Sequence, residues 1–343
     1  MNKQGKITTG LLAYGMSGKV FHAPFLCDND LFDLHAVVER THKNAHKDYP
    51  GIISYDSVDE LLLDPLIELV IINTPNDTHF EFAKRAIEYG KHVLIEKPFA
   101  PTLEEANELF ALGEKYRKQV FAYHNRRFDS DFLSLKYVLD KNFVGQPIEL
   151  HLRFDRYKTD IGPKVFKETK RPAAGVLYDL GSHLLDQAIS LFGKPKSMTK
   201  IAGAYRAGSE VDDYGTIILS YVDGLNVFIT TSLLVADPQA AFVLHGTQGS
   251  FVKPRTDVQE AQLLAGIKPQ DAIYGLEAAD VDGLLTINKG DGELEKLIVP
   301  SEKGRYEQVF QHVYDSIRHG APYYVTADQI RWQLEILAPA KRK

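Results

Sequence analysis

The stretch Ile7-Thr8-Thr9-Gly10-Leu11-Leu12-Ala13-Tyr14-Gly15-Met16-Ser17-Gly18 decides the fold. Ile7 to Leu12 reads as a short apolar strand, the glycines that follow mark a tight turn, and Ser17 to Asn29 has helical patterning. Backbone amides at such a helix start suit a pyrophosphate. Ala13 stands where a dinucleotide fingerprint has its first glycine, so from these residues alone a turn that holds no nucleotide stays open as an alternative.

Outward from this turn, strand and helix alternate. Leu34 to Val38, Leu69 to Asn73, His92 to Ile95 and Gln119 to Tyr123 read as strands, and Ser57 to Asp64, Thr78 to Tyr89 and Thr102 to Tyr116 as helices. That order predicts a parallel sheet covered by helices on both faces. Thr102, followed by Glu104 and Glu105, reads as a helix N-cap, and Gly90 and Gly113 read as breakers, Gly90 at a helix stop. The apolar run before Glu96-Lys97-Pro98 places Lys97 at the carboxyl edge of a buried strand, where open α/β sheets bind ligands.

After about Arg126 the rhythm changes. Helices over Ser130 to Lys141 and Tyr178 to Phe192 accompany strands at Ile148 to Phe154, Thr216 to Val222, Leu225 to Leu233, Ala241 to His245, Leu284 to Asn288 and Leu294 to Val299. Turn dipeptides such as Asp223-Gly224 between them predict a second, mostly antiparallel domain. We therefore divide the chain into residues 1–124 and 125–343.

Composition narrows the function. A chain of 343 residues with 44% hydrophobic and 25% charged residues has the make-up of a soluble globular protein of about two domains. Its net charge of −6 argues against nucleic acid, and no apolar run reaches the roughly 18 residues of a membrane span. The polar start, Met1 to Lys6, and the single cysteine, Cys27, fit a cytoplasmic protein without disulfides or a zinc cluster. His42 and His46, at helical spacing, read as a solvated face rather than a metal pair.

Glu39 ends the second strand about 20 residues beyond the glycine turn, where a carboxylate can accept hydrogen bonds from an adenosine ribose or simply sit on a loop. Arg40 beside it suits a 2′-phosphate or an adenine face, and Lys43 lies nearby, so the cofactor is NAD or NADP. Thr74-Pro75-Asn76 and His79 lie at another carboxyl edge, although Asn76 also suits a helix cap. In the second domain Asp179, His183 and Asp186 or Gln187 fall one turn apart on a helix. A carboxylate one turn before an imidazole can orient it as a base; a surface ion pair is the other reading.

Together the glycine turn, Thr74-Pro75-Asn76 with His79, Glu96-Lys97-Pro98 and the Asp179/His183 helix resemble the family of glucose-fructose oxidoreductase, inositol dehydrogenase and MocA over nearly the whole chain. Phe21-His22-Ala23-Pro24, Tyr123 to Asp129 and Leu177 to His183 make it most similar to bacterial scyllo-inositol dehydrogenases. The resemblance implies an α/β protein: an N-terminal Rossmann domain with a doubly wound parallel sheet, and a C-terminal α+β domain for substrate binding and oligomerisation. It implies an NAD(P)-dependent dehydrogenase of a cyclitol or sugar, with Lys97, Asp179 and His183 as the catalytic set and a cis Lys97-Pro98 peptide. The implied cofactor contacts are Gly10, Tyr14, Gly15, Met16, Ser17, Gly18, Glu39, Arg40, Thr74, Pro75, Asn76, His79, Glu96, Lys97 and Asn125. Asn125, Arg126, Tyr157 and Tyr178 are further candidates to hold substrate hydroxyls, no metal is needed, and a homodimer or homotetramer through the second-domain sheet is expected.

Three departures bear on the details. Those similar enzymes tend to use NADP and carry a small residue where Glu39 stands. They are richer in tryptophan and arginine across Arg156 to Glu168, which leaves the substrate open, and this chain ends at Lys343, short of their final helix and tail. The competing function is a dinucleotide-binding sensor that has lost its chemistry, although such a sensor has no chemical reason to keep Lys97, Asp179 and His183.

Overall fold

The structure, a computed structural model, describes residues 5–162, 168–290 and 292–338. Val165, Phe166 and Lys167 of the substrate-related segment, and the tail from Pro339 to Lys343, lie outside the described residues. The chain divides into two compact units. One is Met1–His124 with Glu260–Tyr274 and Tyr306–Arg331, and the other is Asn125–Gln259 with Gly275–Arg305 and Trp332–Lys343. A single cut after residue 124 therefore leaves out two later stretches that return to the first unit. Phe310 explains one of them, since its ring stacks on Phe25 and meets Phe32 and His22 edge-on.

The first unit is built on strands β1 (Ile7–Leu11), β2 (Phe32–Val38), β3 (Ile53–Tyr55), β4 (Leu69–Ile72), β5 (His92–Ile95) and β6 (Val120–Ala122). All run parallel in the order β3-β2-β1-β4-β5-β6. The order reverses beside β1, and the crevice at the carboxyl ends of β1 and β4 is where such sheets take dinucleotides. Every residue of β4 is buried, as a strand covered on both faces requires. The sequence reading missed β3, a three-residue edge strand whose Ile53 is exposed.

The helices Leu103–Tyr116 and His79–Glu88 start and stop close to where their caps and Gly90 predict. Thr102 and Glu105 form a reciprocal capping box, at 3.1 and 3.2 Å, for the helix Leu103–Tyr116. Gly113 is no breaker: it lies inside that helix, where a β-carbon would come within 2.7 Å of Val120 Cγ2, so it serves close packing on β6. The first helix begins as a wide, π-type turn, Gly18–His22, before Ala23–Cys27. Pro24 has no N–H to continue an α ladder, and Ala23 N bonds Gly18 O, one residue further back than an α-helix would.

The second unit holds an eight-stranded sheet. Its strands are β7 (Pro147–Asp155), β8 (Ser197–Gly203), β9 (Tyr214–Ser220), β10 (Asn226–Ser232), β11 (Phe242–Gly246), β12 (Gly249–Lys253), β13 (Gly283–Gly290) and β14 (Glu293–Val299), in the order β14-β13-β12-β11-β7-β10-β9-β8. β7 and β10 are parallel and every other pair antiparallel. β8 and β12 were not visible in the sequence. Leu150 and Leu152 of β7 and Val227 and Ile229 of β10 share a core with Leu184, Leu185, Ala188 and Ile189 of the helix Ser182–Phe192. That helix covers one face and carries His183, while Phe228 and His151 stack on the opposite face.

Candidate active site

In the first unit, three sheet edges are tied into one hydrogen-bonded frame. Asn73, just beyond β4, accepts from Ala13 N at 3.0 Å and donates to Ala13 O at 2.8 Å, so its amide closes the glycine turn from both sides. Gly18 cannot be replaced there: a β-carbon would collide with the Ala13 carbonyl and sit 2.9 Å from Asn73 Nδ2. At Gly15 a β-carbon would meet nothing within 4 Å, and Gly15 and Met16 are exposed. This is the combination a dinucleotide turn needs, one glycine for packing and another left open for the approach of a pyrophosphate. Gly10 packs inward against Leu61 and Ile67.

Beyond β5, Glu96 joins the turn to Lys97. Ser17 Oγ donates to Glu96 Oε1 at 2.6 Å, and His22 Nε2 lies 2.9 Å from the same oxygen. Burial alone would raise the Glu96 carboxyl, but His22, the Ser17 hydroxyl and the charge of Lys97 override it and hold the group down at about 2. Lys97 follows directly, half-buried, and its peptide with Pro98 is cis. His22, which the sequence reading did not place in a site, is wholly buried, with its ring 4.5 Å from that of Tyr123.

Several expected contacts take different places. His79 is completely buried, with Nδ1 2.8 Å from Pro98 O and Nε2 2.9 Å from Thr74 O. It clamps the Thr74-Pro75-Asn76 loop to the Lys97-Pro98 turn instead of facing a ligand, and its burial lowers its pKa. Thr74 Oγ1 pairs with Thr78 Oγ1 at 2.6 Å, while Pro75 is exposed. Tyr14 Oη donates to Asp48, which also meets Lys19 at 2.9 Å. Burial and then Asp48 raise its phenol.

Glu39 also departs from expectation. Its carboxylate is buried and accepts from Asn44 N at 2.8 Å, Ala45 N at 3.2 Å and Ser54 Oγ at 2.8 Å. It caps the loop after β2 instead of presenting itself to a ribose. Lys43 is engaged with Asp56 at 2.6 Å and with Ser54 O, whereas Arg40 is exposed.

In the second unit, Tyr178 and Asp179 lie in a π-type turn, Leu177–Gly181, that leads into the helix of His183. The expected uninterrupted α-helix is thus widened at its first turn, a form that recurs at functional sites. Gly175 permits it, with φ +97° and with Asp212 where a β-carbon would lie. Leu177 N donates to Asp212 Oδ2 at 2.8 Å. Burial, followed by Asp212, raises the Tyr178 phenol.

The turn Asn125–Phe128 is held against the same helix. Arg127 Nε and Nη2 grip Asp186 at 2.8 and 2.7 Å in a buried bidentate pair, and Gln187 Nε2 donates to Arg126 O at 2.8 Å. This brings Arg126 and Arg127 beside the helix that carries His183. Arg126 lies 3.3 Å from Asp129, and its guanidinium carbon is 5.2 Å from the Phe154 ring centre. Tyr157 is exposed beyond β7, bridged to Leu234, and the structure places it in none of these contacts. Among the described residues no cluster of His, Cys, Asp and Glu could hold a metal ion, and no helix is long and apolar enough to cross a membrane.

A parallel sheet in this order and a glycine turn with one open and one packed glycine define a dinucleotide-binding protein. Residues 7–124 match the oxidoreductase family with an NAD-binding Rossmann fold, and residues 132–252 match the GFO/IDH/MocA C-terminal domain. The chain belongs to the GFO/IDH/MocA family of oxidoreductases, which use NAD or NADP. It is 38% identical to an uncharacterised oxidoreductase of Schizosaccharomyces pombe, over 94% of this chain and 93% of that one. It is 34% identical to the scyllo-inositol 2-dehydrogenase (NADP(+)) IolW of Bacillus subtilis, over 95% and 90%. An oxidoreductase crystal structure from Bacillus cereus superimposes with a TM-score of 0.88 at 34% identity, covering 98% of this chain and 97% of that one.

Proposed function

We propose that this enzyme reversibly oxidises a secondary alcohol of a cyclitol or sugar, with scyllo-inositol and its ketone as the leading pair. The observation that supports the reading is the Ser17–Glu96–His22 contact, which ties the residue before Lys97 to the glycine turn. Likeness to the Bacillus subtilis scyllo-inositol dehydrogenase supports the substrate class. Gly15, Met16 and the amides of the turn would hold the dinucleotide, whose nicotinamide supplies or accepts the hydride.

His183 takes the hydroxyl proton in the oxidation direction, and Asp179 orients its imidazole. Lys97 donates a hydrogen bond to the oxygen as negative charge develops on it. Asn125, Arg126 and Tyr178 hold other hydroxyls, and copies of the chain associate through the face of the second-unit sheet that carries Phe228.

The test is oxidation of a panel of inositols and aldoses followed at 340 nm, with Lys97→Ala and His183→Ala beside the parent. Each variant is expected to lose on the order of 10²–10⁴ in kcat while still binding dinucleotide. An enzyme that binds dinucleotide tightly but turns over no substrate in the panel would support the sensor reading instead.

A further inference from the structure

We infer that this chain selects NADP(H) over NAD(H), and that Arg40 supplies the selection because Glu39 has been withdrawn from the ribose site. The inference rests on dinucleotide binding, not on the identity of the substrate. In a sheet of this order the residue just after β2 faces the adenosine ribose, and a carboxylate there favours NAD twice over, by accepting from the ribose hydroxyls and by repelling a 2′-phosphate.

Here the carboxylate has no capacity left. Its Oε1 accepts from Asn44 N and Ala45 N, and its Oε2 from Ser54 Oγ and, at 3.3 Å, Ala45 N. Four contacts fill about the number of lone-pair sites that a carboxylate offers. The group is buried, with Glu39 only 7% exposed, so a ribose hydroxyl would have to displace a backbone amide to reach it. The ring of donors that saturates the carboxylate also offsets the charge that would repel a phosphate.

The residues that follow are oppositely disposed. Arg40, Thr41 and His42 are all exposed on the loop after β2, and Arg40 forms no ion pair among the described residues. The loop is anchored on either side. Lys43 is tied to Asp56 and Ser54 O. Asp48, at the end of the short helix Ala45–Asp48, receives Tyr14 and Lys19 from the glycine turn and the helix behind it. An unengaged guanidinium on a loop so anchored can take a phosphate dianion in two-pronged fashion, with the Thr41 hydroxyl as a further donor. A ribose bearing only hydroxyls gives it nothing equivalent.

The experiment measures the affinities of the intact protein for NADP+, NAD+, 2′,5′-ADP and 5′-AMP by calorimetry, for the parent, Arg40→Ala and Glu39→Gln. The parent should bind NADP+ at least about 30-fold tighter than NAD+, and 2′,5′-ADP over 5′-AMP by a similar factor. Arg40→Ala should shrink the NADP+ to NAD+ ratio by about tenfold or more, while Glu39→Gln should leave that ratio within roughly threefold. Equal or tighter binding of NAD+ by the parent would overturn the inference. So would equal weakening of both dinucleotides in Arg40→Ala, which would mean a guanidinium stacked on adenine. A rise of about tenfold in NADP+ preference in Glu39→Gln would show that the carboxylate does face the ribose. Arg40 is exposed, so its variant keeps the test readable even if Glu39→Gln folds poorly.

Discussion

Protonating Glu96 should unlock the frame that joins the glycine turn to Lys97, and the energy involved follows from its titration. The carboxyl is held at about 2 in the folded protein against an ordinary 4.5, chiefly because His22 and Ser17 outweigh the effect of burial. A folded pKa below the unfolded one means the stabilisation is complete above about pH 4.5 and is lost as pH falls toward 2. Integrating the difference in proton binding gives a loss of about 2 kcal/mol between pH 6 and pH 3. For a unit of this size that is roughly 4–8 °C in Tm. The assay is thermal unfolding of the parent and of Glu96→Gln across that pH range. The parent should lose stability more steeply by about 2 kcal/mol, because the variant has no carboxylate to protonate while every other acid is shared. Parallel curves for the two proteins would refute the reasoning and mean that the His22 contact does not favour the charged carboxylate.

The two glycines of the turn should separate stability from binding. Gly15→Ala meets no neighbour within 4 Å, so it should unfold at the parent temperature yet lose about tenfold or more in dinucleotide affinity. Gly18→Ala drives a methyl group into the Ala13 carbonyl and should lower Tm as well as binding. In the second unit, Asp186→Asn leaves the buried Arg127 guanidinium without its charge partner and should destabilise by about 3–5 kcal/mol in urea unfolding. The double variant Arg127→Met with Asp186→Leu should recover much of that, since an uncompensated charge rather than a lost contact causes the damage.

What could be read from the sequence follows a physical line. Strands buried on both faces announce themselves as apolar runs, so β4 and β5 and the parallel sheet were legible. β3 was not, because three residues at an exposed edge carry no periodicity. β12 was hidden by Lys253, wholly buried in the strand and neutralised by Glu277 at 2.7 Å, a partner 24 residues away. Gly113 looked like a breaker because its reason for being glycine is Val120, which the fold brings against it. Residue type and position placed the members of the site at sheet edges and on one helix. They could not distinguish a carboxylate facing ligand from one enclosed by amides, as Glu39 shows, nor an imidazole in a site from one clamping two loops, as His79 shows.

The helix of His183 shows why that difference matters for catalysis. The base proposed at His183 must be held near its working geometry by the contacts of its neighbours. Here those contacts are supplied by the residues around it. Asp212 accepts from Leu177 N at the start, Gly175 allows the chain to reach that carboxylate, and Gln333 Nε2 donates to Ser182 O at 3.0 Å, one residue before His183. One turn further on, Asp186 and Gln187 fasten the Asn125–Phe128 turn to the same helix. The first unit treats Lys97 likewise, through Glu96 before it and the His79 contact to Pro98 after it. In both units the residues assigned to chemistry are flanked by buried or half-buried polar groups that fix the chain around them. Substitutions in these flanking groups should therefore impair turnover by displacing a base or a lysine that remains chemically intact.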